Sequence, residues 1–504
     1  MTNIKRPVHL AFSLLPILTL VGLLAASVYL YGDESSGGPN QIALIIAAGV
    51  AALLGLWQGQ PWKELEEAMI HGISLAMNAC LILLAVGALI GSWILSGTAP
   101  ALIYYGLGLL DPQWFYPAAL LICAMISVSI GSAWTTAGTI GIALLGVAHV
   151  LGLSLEITAG AVVSGAYFGD KMSPLSDTTN LSPAMAGSEL FTHIRHMFWT
   201  TFPAFIIALV LFTWLAWGAS SDGVNADAIA QSRSLIAQQF GIGWPTMVPL
   251  AVVLTLALRK IPAYPAILIG ALTGGLVALL YQPDALQRMG GGDFSPAWQS
   301  AKAIWTALTS GYVSTTGDPV LDSLLSRGGM SSMLTTVWLI ISALSFGAMM
   351  EHTGLLKRLV AVLLKRVKGT GSLITTTVAT AVGMNFVGSD QYMAIVLPGR
   401  MFRLEFERRG LAPENLSRTL EDAGTMTSAL VPWNTCGAFM AATLGVSTLA
   451  YAPYAFLNLL TPFVAILYGF TNFKITYLPK ASGDEPVTQE GQEPDNTATA
   501  PSVA

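Results

Sequence analysis

The sequence predicts an all-α polytopic membrane protein: two inverted repeats, each of five spans plus a re-entrant hairpin, with broken helices at the centre. Three observations carry that expectation. First, 54% of the 504 residues are hydrophobic and only 10% are charged, against roughly 25% charged in a soluble domain. Mean hydropathy is +0.64, and apolar runs long enough to cross a ~30 Å hydrocarbon core recur along the chain. Second, polar clusters interrupt those runs: Gly169-Asp170-Lys171-Met172-Ser173-Pro174-Leu175-Ser176-Asp177-Thr178-Thr179-Asn180, then Asn385-Phe386-Val387-Gly388-Ser389-Asp390, then Pro432-Trp433-Asn434-Thr435. An ionisable side chain at membrane depth costs roughly 2.5–3.5 kcal/mol or more and marks an ion or substrate pathway. Backbone broken by Gly and Pro at that depth survives only when buried in protein or lining a wet cavity. Third, the chain repeats itself. Together these features read as a transporter.

Lys and Arg favour the cytoplasmic ends of short loops and so orient the spans. Lys5 and Arg6 put the N-terminus inside. The run 8–31, too long for the apolar part of a signal peptide, goes out, and 41–57 returns to a loop with Lys63. Helix 71–96 goes out, and no Lys or Arg follows until Lys171, as an outward-facing stretch requires. A broken span near 155–180 comes in to a loop with His193, Arg195 and His196; 199–218 exits, 240–258 re-enters to Arg259 and Lys260, and 262–281 exits. The connection 282–334 is then outside, and 335–351 returns. Segment 372–398 has basic residues on both flanks, Lys357 to Lys368 before it and Arg400 to Arg418 after it. A segment that starts and ends on one side is a re-entrant hairpin, with Asn385 to Asp390 at its tip. Segment 117–150 lacks basic flanks and is the matching hairpin from outside, with Gly131-Ser132 near its middle. Both termini are expected in the cytoplasm.

The repeat is read from four matches. Gly131 aligns with Gly388 (388 − 131 = 257), Gly97 with Gly354 (354 − 97 = 257), Pro174 with Pro432 (432 − 174 = 258) and Pro203 with Pro462 (462 − 203 = 259). Five spans per half is an odd number, so the halves run oppositely, as inverted repeats with midplane sites do in secondary transporters. The expected organisation is 1–218 as first repeat, 219–239 as connecting loop and 240–478 as second repeat. Residues 479–504, rich in Gly, Pro, Thr and acids, read as a disordered tail. Cys80, Cys123 and Cys436 lie in apolar segments without metal-ligand spacing and read as core packing.

Asp177 stands among Ser176, Thr178, Thr179 and Asn180, just after the helix breaker Pro174. A carboxylate beside hydroxyls and freed carbonyls is a hard-oxygen environment suited to sodium, and a carboxylate in an apolar setting can trade a proton for a cation. Asp390, with Asn385 and Ser389, offers a similar set at the second hairpin tip, and Asn434 and Thr435 add neutral oxygens. Asp170 completes the candidate ligands, with Asp177 and Asp390 as the sodium and proton carriers. The competing reading puts Asp170, Lys171 and Asp177 in a wet loop. Glu421 and Asp422 read as a favoured helix N-terminus or an ion-access funnel, Glu351-His352 as an interfacial pair, and His193 and His196 as loop residues. Trp134, Trp199 and Trp433 read as packing or interfacial anchors.

The run Phe168 to Asn180 resembles the signature of the NhaC family of sodium/proton antiporters, and the run around Pro432 to Thr435 is similar to that family's matching segment. The resemblance spans roughly residues 8–472. It implies exchange of sodium (or lithium) for protons across a bacterial inner membrane by paired hairpins and broken helices, with no cofactor. Some similar members exchange organic acids such as malate and lactate, so an ion-coupled organic-acid or amino-acid transporter is the alternative. The absence of Arg or Lys at depth, Lys171 apart, favours cation exchange over that alternative. There is no His-Glu-x-x-His and no mid-span histidine near a conspicuous serine, so an intramembrane hydrolase is not supported. The expected partners are sodium, protons and the lipid bilayer, with a homodimer left open and no nucleic acid.

Overall fold

The computed structural model describes residues 10–31, 35, 37–218, 226–291, 295–315, 317–364 and 367–478. Lys5, Arg6, Lys365, Arg366, residues 219–225 and the acidic tail 479–504 lie outside the described residues. The described residues form helices and no strand, apart from one isolated bridge between Leu411 and Tyr477. The first half holds α1 (Leu10–Tyr31), α2 (Pro39–Trp57), α3 (Trp62–Leu75), α4 (Met77–Leu95) and α5 (Thr98–Leu109). It continues through α6 (Phe115–Ile130), α7 (Ala133–Val150), α8 (Leu155–Met172), α9 (Asp177–Ala186) and α10 (Leu190–Gly218). Then come α11 (Ala226–Gln239), α12 (Val248–Leu258), α13 (Ala263–Tyr281), α14 (Pro283–Gly290), α15 (Pro296–Thr309) and α16 (Pro319–Leu325). The second half closes with α17 (Leu334–His352), α18 (Leu355–Leu364), α19 (Thr370–Val387), α20 (Gln391–Arg408), α21 (Pro413–Leu420), α22 (Thr435–Leu444) and α23 (Phe456–Thr471). Among the described residues eight helices are long and apolar enough to cross a membrane, or up to ten if two bent pairs each count as one span.

Helix boundaries repeat at the spacing seen in the sequence. α17 starts 257 residues after α4 (334 − 77), α20 starts 258 after α7 (391 − 133), and α22 starts 258 after α9 (435 − 177). Both expected hairpin segments fold as helix-turn-helix pairs. α6 turns at Gly131, whose left-handed φ of 76° ends the helix, and α7 returns, capped by the Ser132 hydroxyl. The phenol of Tyr116, at the start of α6, accepts from the Ser154 amide just after α7, so both arms begin at one end of the bundle. In the second hairpin Ser389 takes the left-handed turn at φ 57°. Arg409, after α20, donates to the carbonyl of Val367, before α19, at 3.2 Å, so this hairpin too enters and leaves at a single end.

The two mouths meet opposite ends of the broken helix α8–α9. Tyr116 sits by its start, while Gly187 at its finish packs on the Arg403 guanidinium of the second hairpin. α8 lies along α6 so closely that a Cβ at Gly165 would fall 2.4 Å from the Leu120 carbonyl oxygen, and one at Gly169 2.3 Å from the Val128 amide nitrogen. Small residues at such contacts let helices bond in an apolar solvent, and here the Ser127 hydroxyl donates to the Ala166 carbonyl at 2.6 Å.

Four segments differ from expectation. The helix expected over 71–96 is two helices parted at Ala76, because continuous hydropathy hides a one-residue break. The span expected at 240–258 is the helical run Trp244–Leu258, a short turn leading into α12, and it is bent by 91° from the helix before it. The connecting loop 219–239 contains α11, whose polar surface mimics a linker although Arg233 stacks 4.4 Å over the Tyr104 ring of α5. The connection 282–334 is built of α14, α15 and α16, and the carbonyl of Ala307 in α15 packs against Gly91 of α4.

The hairpin geometry predicts paired labelling. Single cysteines at Gln113 and Glu156, flanking the first hairpin, should react with a membrane-impermeant thiol reagent from one face. Cysteines at Gly369 and Arg408, flanking the second, should react from the other. Opposite-face labelling within either pair would make that segment a true span.

Candidate functional site

The two hairpin tips and the two helix breaks converge on one cavity of about 440 Å³. Its wall includes Gly131, Ser132 and Trp134 from the first hairpin, and Asp390, Gln391 and Tyr392 from the second. Asp170, Ser176, Asp177 and Thr178 come from the α8–α9 break, and Thr435 from the start of α22. Leu75, Lys260 and Ile261 also border it.

Each break works by redirecting backbone donors. Asp390 caps α20: its Oδ1 accepts from the Tyr392 amide at 2.8 Å and the Met393 amide at 3.3 Å, while Oδ2 accepts from the Thr435 hydroxyl at 3.1 Å. Asn434 caps α22 by accepting from the Cys436 amide at 3.0 Å, and its own amide donates to Asn385 Oδ1, also at 3.0 Å. Asn385 in turn donates to the Gly424 carbonyl and the Thr427 hydroxyl. The Thr435 amide donates to the Ser389 carbonyl, and the Trp433 indole to the Phe386 carbonyl. Asn385, Asn434 and Trp433 thus bolt the second hairpin tip to the second break, and Asp390 and Thr435 are the members of this network that reach the cavity. The Ser389 hydroxyl is buried without a partner.

The first half is looser. Asp177, the first residue of α9, is exposed to the cavity. Asp170 is 8% exposed, and its carboxyl faces the Ser176 hydroxyl and the Ala133 amide. Thr179 and Asn180 do not line the cavity. The Thr179 hydroxyl donates to the carbonyls of Asp170 and Lys171, and the Asn180 amide to those of Pro174 and Ser176. These two residues fix the shape of the break, so their oxygens serve the fold before any ligand.

Sequence reasoning missed several features. Gln391 lines the cavity with a buried, unpartnered Oε1. Trp134, by contrast, reads from the sequence as a packing or interfacial residue, and it stacks on Phe439 at 4.1 Å between centroids, joining the first hairpin to α22 beside the cavity. Behind the wall lies a second polar cluster. Lys171, fully buried, is bonded to Asp422, which also accepts from the Thr200 hydroxyl at 3.0 Å. Glu421 accepts from Ser182. His193 and His196, expected in a loop, lie in α10 and are buried; His193 meets the Ser417 hydroxyl, and His196 the carbonyls of Glu414 and Lys474. Arg418, fully buried, donates to the same Lys474 carbonyl. Glu421 and Asp422 do not open a helix: α21 runs into them as a π-turn over Glu421–Thr425. A π-turn inserts one residue and is frequent at functional sites, but nothing in local composition announces it.

Broken helices, hairpin tips and acids around a central cavity define a multi-pass membrane transporter. Residues 165–473 match the family described as the Na+/H+ antiporter family. The Na(+)/H(+) antiporter NhaC of Alkalihalophilus pseudofirmus is 37% identical over 466 residues, covering 92% of this chain and 96% of that protein. The malate-2H(+)/Na(+)-lactate antiporter of Bacillus subtilis is 38% identical, covering 87% and 91%. The arginine/ornithine antiporter ArcD of Halobacterium salinarum is 36% identical, covering 94% and 93%. The chain belongs to the NhaC family of Na+/H+ antiporters.

The bolt on the second tip predicts a stability effect. Asn434→Ala removes a cap and the bond to Asn385, and should cost about 1–3 kcal/mol. Thermal unfolding of purified protein would show this as a lower midpoint. An unchanged midpoint would mean that Asn434 does not hold the two elements together.

Proposed function

We propose that this chain exchanges sodium (or lithium) for protons across a bacterial inner membrane by alternating access. The observation that carries the reading is the meeting of Asp170, Asp177 and Asp390 in one cavity with the hydroxyls of Ser176, Thr178 and Thr435. Carboxylate and hydroxyl oxygens are hard ligands for sodium, and the same carboxylates can bind protons. Family membership supports the reading, since relatives are named sodium/proton antiporters. Asp177 is the first contact for an entering cation, because it is exposed to the cavity. Asp390 and Thr435 supply the second half's oxygens, with Ser389, Asn385 and Asn434 as orienters and Thr179 and Asn180 holding the first break in shape.

The two repeats, 1–218 and 240–478, are inverted in this account, and that supports exchange between mouths on opposite faces. Lys260 at the cavity border and the arginines around the second hairpin argue for a cavity open to the cytoplasm, with both termini on that side. The protein is a transporter and not an enzyme in this reading, and a homodimer is compatible with it.

A second reading has an observation of its own. The cavity of about 440 Å³ is far larger than a bare cation, and the B. subtilis relative is named for carrying malate and lactate. An organic acid would have to sit among three carboxylates with Lys260 as the basic lining residue, and that electrostatic mismatch favours the cation.

Reconstituted in proteoliposomes with a pH-reporting dye, the wild type should acidify or alkalinise the lumen on addition of a sodium or lithium gradient, and not with malate or lactate. Asp177→Asn and Asp390→Asn preserve size while deleting the titratable charge, and each should nearly abolish exchange. Flux at the wild-type rate through Asp177→Asn would remove that residue from the mechanism. A carboxylate cannot hold a proton and ligate sodium strongly at once, so lowering pH should weaken apparent sodium affinity more than it lowers maximal rate. Sodium affinity that stays constant from about pH 6 to about pH 9 while exchange persists would contradict a shared carboxylate site.

A further inference from the structure

We propose that Lys260 is a specificity-determining residue, a tethered positive charge at the cavity border that keeps divalent cations out. The inference rests on the sodium/proton reading above and adds the discrimination that such a site needs.

Three acids line the cavity, Asp170, Asp177 and Asp390, beside the hydroxyl residues Ser176, Thr178 and Thr435. When ionised they carry more negative charge than one sodium ion balances, and the number of carboxylates is one of the features that raise calcium affinity in oxygen sites. Sodium and calcium ions are close in size, so the spacing of the oxygens does not separate them. Cavity size does not either, since about 440 Å³ admits both. The two ions differ in charge, and rejecting a competitor by charge takes a repulsive group. Among the described lining residues Lys260 is the one basic side chain.

The backbone shows that a lysine is not there for the sake of the turn. α12 ends at Leu258, and the chain reverses into α13 at Ala263. The Lys260 amide donates to the Ala257 carbonyl at 2.9 Å, and the Ile261 amide to the Leu256 carbonyl at 3.0 Å. These are the paired bonds of a Schellman ending, whose central residue is left-handed, and Lys260 has φ 62°. Glycine takes that conformation without the clash a Cβ brings. Glycine holds the left-handed position after α9 and after α22, at Gly187 and Gly445. Lysine is locally disfavoured at position 260, so its presence is explained by what the side chain reaches.

Lys260 makes no ion pair among the described residues, whereas Lys171 is bonded to Asp422 and Arg403 and Arg409 to glutamates of their own helix. Arg259 is the comparison within the same turn. It is also exposed, and it suits the C-terminal end of α12 and a cytoplasmic face as well as Lys260 does. Arg259 does not border the cavity. Coulomb repulsion scales with the charge of the approaching ion. If Lys260 weakens sodium binding by some factor, it weakens calcium binding at the same position by the square of that factor. A unit charge on the order of 10 Å away, at an effective dielectric of about 50, changes monovalent binding about threefold and divalent binding about ninefold. Salt screens both effects, and the square relation between them remains.

The test measures ²²Na uptake into acid-loaded proteoliposomes at constant pH and ionic strength, with calcium as the competing ion. Lys260→Gln should tighten apparent sodium affinity about threefold and lower the calcium inhibition constant about ninefold. Lys260→Arg keeps the charge and should stay near wild type in both values. Arg259→Gln removes a charge from the same turn and should move both values far less. Lys260→Gly removes the charge and relieves the left-handed φ. It should match Lys260→Gln in both values, and it carries the test if the glutamine variant does not fold. A calcium constant that is unchanged in Lys260→Gln, or that shifts no more than the sodium constant, overturns the proposal. So does Arg259→Gln that reproduces the Lys260→Gln shifts, Lys260→Arg that behaves as the glutamine variant, or calcium that inhibits none of these forms. Wild type that exchanges no sodium for protons at all is a different result, which overturns the sodium/proton reading and this inference with it.

Discussion

A broken helix inside a membrane leaves backbone donors and acceptors that lipid cannot satisfy, and the arrangement of this protein follows from meeting that demand. The two central breaks are met by side chains and backbone close to them. The Ser389 carbonyl accepts from the Thr435 amide, Asn434 binds both its own helix start and Asn385, and Asp390 caps α20 while accepting from Thr435. In the first half, Thr179 and Asn180 close four carbonyls around the α8–α9 break. Polar side chains gather where helices break, and the cavity is the space these obligatory contacts leave between the two hairpin tips. The candidate cation site is therefore inseparable from the fold's solution to its own backbone.

The two halves solve the problem unequally. The second tip is tied to its break by Asn385, Asn434 and Trp433, and its acid is engaged on both oxygens. The first break leaves Asp177 open to the cavity and relies on Lys171 and Asp422 to hold it against the second half. An ion pair of this kind, fully buried and spanning residues 251 apart in sequence, contributes little net stability against an apolar replacement but is costly to break from one side. It makes the relative position of the halves sensitive to charge, as a coupled exchanger requires. The Trp134–Phe439 stack is the apolar counterpart, joining a first-half hairpin to a second-half helix at the cavity wall.

Much of this was legible in the sequence. Basic residues on both flanks of 372–398 read as a re-entrant segment, and the Arg409–Val367 bond brings those flanks together. The 257–259 offset in Gly and Pro is close to the 257–258 offset between helix starts in the two halves. Asp170, Asp177, Asp390 and Thr435 stood out as acids and hydroxyls beside Pro and Gly in apolar sequence, and all four line the cavity. Other features had no local signal. The division of 71–96 at Ala76 falls within uniform hydropathy. α11 looks polar because much of its surface is. The burial of His193, His196 and Arg418, and the pairing of Lys171 with Asp422, depend on contacts between halves that one sequence cannot reveal. Glu421 looked like an ordinary acid at a helix start, and the π-turn that buries it carries no compositional mark.

The central claim, that sodium displaces protons from carboxylates in this protein, is tested most directly without any gradient. Sodium added to purified protein in weakly buffered detergent solution should release protons in proportion to protein, saturably and with matching release by lithium, while potassium at equal ionic strength should release few. Sodium binding detected by ²²Na with no accompanying proton release at any pH near neutrality would contradict the account.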